Sequence, residues 1–93
     1  NTMKTPITVK EIIEEIKNPE ATFVCRMKWW AFAQTLPLEK LCAIHEEVTP
    51  VLLLDACQYR RMFEGTNLWP KLQEQLTEEV RTNPMSDRYE LVD

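Results

Sequence analysis

Glycine is almost missing from this chain: Gly65 stands alone among 93 residues. The P-loop and the dinucleotide fingerprint both need several glycines where backbone approaches phosphate, so nucleotide binding of either kind is excluded. With six prolines spread along the chain, the same shortage disfavours hairpins and argues for helices. Histidine is as rare. His45 begins His45-Glu46-Glu47, but Thr49 stands where an HExxH zinc site needs its second histidine, and no Glu-x-x-His pair exists for a di-iron bundle.

Cysteines number three, an odd count without short paired spacing, which fits a reducing compartment better than a disulfide framework. No apolar run approaches the roughly 18 residues of a membrane span, and a basic-then-apolar leader pattern is lacking. The expectation is a cytoplasmic protein that does not enter a membrane. Cationic excess is missing too. The net charge is −4, and residues 47 to 93 hold five Lys/Arg against nine Asp/Glu. Nucleic acid is therefore a disfavoured partner, because phosphate neutralisation is the main sequence-independent source of such affinity.

What the chain does have is apolar surface in a helical pattern. A hydrophobic fraction of 44% with 28% charged residues describes an ordinary globular chain, large enough for one core. One helical domain over 1–93 is expected, with 1–7 and 85–93 as flexible arms. Its centre is Phe23 to Leu36, FVCRMKWWAFAQTL, where ten of fourteen residues are apolar. Phe23, Met27, Trp30 and Ala31 fall on one side of a helix there, and Cys25, Trp29, Phe32 and Leu36 on another. Such a helix is the central member of a bundle, or it shares one stripe with a partner chain.

Five helices are expected. Thr8 with Glu11 makes a capping box for a first helix to Lys17, with Ile12, Ile13 and Ile16 as its stripe. Asn18-Pro19-Glu20 reads as the cap and first turn of the central helix, which runs to about Leu36. Leu38 to Val48 reads as a third helix, and Thr49-Pro50 as the cap of a fourth, Val51 to Glu64, that Gly65 ends in a left-handed conformation. A fifth, capped by Thr66 or Asn67, carries Trp69, Leu72, Leu76 and Val80 on one face and closes at Asn83-Pro84. The tail from Met85 to Asp93 reads as an arm, a docking strand or one more helical turn.

Constellations that carry chemistry are thin. Cys42 and His45 share a helical face, and Cys25 and Cys57 lie on helices able to pack nearby, yet the CxxC-type turns that present zinc ligands are lacking. Buried thiols on apolar stripes are the plainer reading, and no cofactor or metal is expected. Asp55 interrupts VLLLDAC and needs water or a cationic partner such as Arg26, Arg60 or Arg61. Tyr89 to Val92 has the spacing of a short sorting motif, which four residues match by chance. Gly65 and the following helix also allow a helix-turn-helix, with Asn67, Lys71, Gln73 and Gln75 toward a groove, but Glu74, Glu78 and Glu79 oppose phosphate.

Adjacent tryptophans point about 100° apart and cannot share one pocket, so one of them faces a second surface. Tryptophan and arginine are what interface centres are rich in. The sequence thus points to an all-α, non-enzymatic regulator, adaptor or inhibitor that docks a protein partner, or a second copy as a homodimer. Arg26, Lys28, Trp29, Trp30 and Trp69 are the candidate partner-binding residues. A helix-turn-helix transcription regulator is the alternative.

Overall fold

The computed structural model describes residues 3–82 and 84–93. Its first helix, α1 (Val9–Lys17), begins where the capping box places it. The Thr8 Oγ1 accepts from the Glu11 N–H at 3.1 Å, and the Glu11 carboxylate accepts from the Thr8 N–H at 3.1 Å. Two of the orphan donors of the first turn are thereby satisfied. Ile12 and Ile16, one turn apart, are fully buried and fix this face toward the core.

Asn18-Pro19-Glu20 does not open the second helix. The Asn18 side chain accepts from the Glu20 N–H at 3.0 Å, and the Ala21 N–H closes a turn on the Asn18 carbonyl. Asparagine and proline are as well suited to a turn as to a helix start, and here the turn wins. The cap is Thr22, whose Oγ1 accepts from Cys25 N–H at 3.1 Å, and α2 spans Phe23–Ala33. Trp29, Phe32 and Ala33 enter the core from it.

The expected third and fourth helices are one, α3 (Leu38–Phe63), with Pro50 inside it. A proline at that point removes the bond that residue 50 would donate to the Glu46 carbonyl, at a cost of about 3 kcal/mol in a helix interior. Burial outweighs it. Ile44 and Val48 are fully buried on one side of Pro50, and Leu52 packs against the same core on the other, at i, i+4 and i+8. Breaking the helix at Thr49-Pro50 would lose that register. Gly65, at φ +86°, reverses the chain after α3 as expected of the left-handed residue past a helix end. The last helix, α4 (Trp69–Thr82), follows a turn in which the Thr66 Oγ1 accepts from Leu68 N–H at 3.3 Å. Of the expected stop at Asn83-Pro84, position 83 lies outside the described residues.

The terminal segments pair with each other. Thr5–Ile7 (β1) and Tyr89–Leu91 (β2) form a two-stranded parallel sheet, with Thr5 opposite Tyr89 and Ile7 opposite Leu91. Of the segments read as arms, residues 1 and 2 lie outside the described residues, and 5–7 and 89–91 are paired in this sheet. Ile7 and Met85, the latter in a single 3-10 turn (Met85–Asp87), are both buried against the core. The Asp93 carboxylate accepts from the Val9 N–H at 3.1 Å, which places a negative charge at the positive end of α1. The chain is therefore mostly helical, with four α-helices rather than five among the described residues.

The core lies where α1, α2 and the first half of α3 meet. By contrast, α4 packs chiefly on α2 and buries no residue completely.

Candidate functional site

The two stripes of α2 have different fates, and the side that is left open is the candidate site. Trp29 is 4% exposed, edge-on to Phe32 and with its ring centroid 4.8 Å from that of Tyr89. It is a core residue of the chain itself. Phe23, Met27 and Trp30, at i, i+4 and i+7, stay half-buried along the opposite line.

That line is the floor of a groove. One wall is α3, through Leu52, Leu53 and Ala56, and the other is α4, through Leu72, Leu76 and Val80. Although Gly65 joins them, α3 packs on α1 and α2, and α4 on α2, and the space between α3 and α4 is open. A cavity of about 280 Å³ lies on the α3 side over Phe23, Met27 and Trp30. Another of about 230 Å³ lies nearer the Gly65 end, between Phe23, Tyr59, Trp69 and Leu72. A third, on the α4 side, is bounded by Met27, Leu76 and Val80. Phe23 lines the first two and Met27 the first and third, so the three cavities adjoin one another along α2.

Aromatic contacts stiffen its edges. The Phe23 ring lies 5.0 Å from Tyr59, Tyr59 lies 5.4 Å from Phe63, and Trp30 lies 5.7 Å from His45. The charges at the rim are already paired along their own helices. Arg60 binds Glu64, which raises the Arg60 pKa first through the hydrogen bond and then through the carboxylate charge. Arg81 reaches Glu78 at 2.7 Å. Outside the groove, Lys28 and Glu79 meet at 3.2 Å and hold α4 to α2 from the other flank.

The candidate residues read from the sequence thus separate. Trp30 stands on the groove floor and Trp69 on its wall at the Gly65 end. Arg26 and Trp29, read from the sequence as docking residues, are turned inward. Arg26 is 8% exposed, and its guanidinium binds the Ile16 and Asn18 carbonyls, each at 2.7 Å, and the Asp55 carboxylate. The carbonyls at the end of α1 lack helical partners, and a cation there also suits the helix dipole. Asp55 thus finds its partner on α2. Met27 and Leu53 also line the groove, and their signals in the sequence are the stripe spacing for Met27 and the all-apolar run from Val51 to Leu54.

The cysteines also differ from expectation. Cys42 and Cys57 are exposed on the outer side of α3, and only Cys25 is partly buried. Ile44 and Val48 fill the buried face of this 26-residue helix, and Cys42 and Cys57 lie off that face. Among the described residues no three His, Cys, Asp or Glu side chains converge as a metal site would require. No helix of the described residues is long and apolar enough to cross a membrane. No protein-family model matches the chain, and neither a curated protein nor a solved structure is similar enough to lend it a family.

Proposed function

We propose that the chain is a small non-enzymatic protein-binding module, a regulator, adaptor or inhibitor, whose docking surface is the groove between α3 and α4. The observation that supports this is the half-buried line Phe23–Met27–Trp30, flanked by apolar walls while Trp29, Phe32 and Ala33 of the same helix are buried in the core. A groove of this kind suits an amphipathic helix, which inserts anchors at i, i+3 or i+4, and i+7. Trp30 and Trp69 supply rigid aromatic area at its floor and end, the residue type in which binding energy concentrates. The rim adds neither a surplus of one sign nor, with its arginines paired, a free cation to steer phosphate.

Placing a photo-reactive amino acid at position 27 in the native host tests this. The expected result is a discrete adduct with one protein, a second copy of the chain included, and none from the same group at exposed Glu14 on α1. Equal labelling from both positions, or none from position 27, would remove the groove as a docking surface.

A further inference from the structure

We infer that the outer edge of β2 is a docking site for an extended, basic peptide segment, which joins the terminal sheet as a third strand. This surface is separate from the groove and does not depend on it.

The backbone register defines the edge. Thr5 stands opposite Tyr89 and Ile7 opposite Leu91. The Thr5 N–H donates to the Arg88 carbonyl at 2.7 Å, and the Val92 N–H donates to the Ile7 carbonyl at 3.0 Å. In a parallel pair that pattern turns the N–H and C=O groups of residues 88, 90 and 92 toward β1 and those of Tyr89 and Leu91 away from it. The sheet has two strands, and among the described residues no hydrogen bond reaches the outward groups of Tyr89 or Leu91. Donors and acceptors therefore alternate along this edge. An extended chain satisfies such an array, whereas a helix bonds its backbone internally and cannot. The opposite edge of the sheet is blunted, because its outward residue is Pro6, which has no N–H to offer. An edge left open in this way is a template for another strand.

Charge sets the chemistry of the occupant. Glu90 is exposed between Tyr89 and Leu91, with Asp87 and Asp93 on either side of the strand and Arg88 the one cation within 87–93. Opposite charges directly across a strand pair stabilise it and like charges oppose it, so a lysine or arginine belongs opposite Glu90. Tyr89 and Leu91 are half-buried, so the residues flanking that cation in the occupant are apolar. A second copy of the chain meets a penalty here. Antiparallel pairing of two β2 edges in the register that uses all the outward groups sets Glu90 against Glu90.

Selection of random linear peptides displayed on phage, against the immobilised full chain, tests the inference. The enriched peptides are expected to alternate apolar residues with lysine or arginine. One of them, carrying a fluorophore, is then titrated by anisotropy against wild type and variants. A chain N-methylated at Leu91, made by joining a synthetic 57–93 segment to residues 1–56 at Cys57, is expected to bind about tenfold more weakly, because the methyl group removes an outward donor and blocks approach. That N–H makes no bond within the fold, so helical circular dichroism is expected to match wild type. Glu90→Lys is expected to weaken binding about threefold, and Glu14→Lys on α1 to leave it unchanged. Selection without enrichment, or peptides that bind the methylated chain as tightly as wild type, would overturn the edge as a docking site. Enriched peptides with apolar residues at helical spacing that ignore the methyl group would overturn it as well, while leaving the groove reading standing. A wild-type chain that self-associates and is returned to the single-chain mass by the same methyl group would overturn the basic peptide as the occupant.

Discussion

Arg26 on α2 and Asp55 on α3 form an ion pair whose side chains are 9% and 17% exposed, and the same guanidinium closes the carbonyl end of α1. Three helices therefore meet on one side chain. Removing a single partner of such a pair leaves the other charge buried and typically costs about 3–5 kcal/mol. Arg26→Met or Asp55→Leu alone is expected to lose that much in urea denaturation. The double variant is expected to recover most of the loss at Asp55 but not the bonds to Ile16 and Asn18. Additive losses in the cycle would show that the two residues are not coupled.

Pro50→Ala is expected to stabilise the fold by about 1–3 kcal/mol, because alanine restores the donor to the Glu46 carbonyl inside a continuous helix. Pro50 is exposed, so no packing is lost. A thermal melt that shifts upward agrees. A downward shift would mean that α3 is interrupted at this point in solution.

Trp29 and Trp30 are neighbours in sequence with opposite surroundings. Trp29→Ala is expected to cost about 3–5 kcal/mol, the range for a large aromatic removed from a core. Trp30→Ala, on the half-open stripe, is expected to cost roughly half of that. Equal losses in chemical denaturation would contradict the difference in their burial.

Gly65→Ala is expected to destabilise by about 1 kcal/mol through backbone strain alone. A Cβ at that position meets nothing within 4 Å, while the φ of +86° is one that alanine resists. Gly65→Asn, which tolerates the left-handed region better, should cost less in the same melt.

Features set by local chemistry were legible in the sequence. The Thr8–Glu11 capping box and the Gly65 reversal each depend on a few consecutive residues, and the structure has both where the sequence places them. The two stripes of α2 were legible from their spacing as well. Which stripe is sealed was not, because it depends on where α1 and the Met85 turn dock, and no window of α2 encodes that. Asn18 reads as the cap of α2, and only the tertiary placement of Arg26 against the Asn18 carbonyl marks that stretch as a turn. Pro50 misled for a related reason: its helix-breaking tendency is local, whereas the burial of Ile44 and Val48 that overrides it is not. The strands are three residues each and pair across the whole length of the chain, so neither TPI nor YEL carries the signal alone.

The central claim is that one side of α2 is satisfied within the chain and the other awaits a partner. Hydroxyl-radical footprinting read by mass spectrometry tests it most directly, in dilute protein and again under associating conditions. Met27 and Trp30 are expected to be oxidised in the dilute chain and protected on association, with Trp29 protected throughout. Protection of Met27 and Trp30 equal to that of Trp29 in the dilute chain, or oxidation unchanged by association, would contradict it.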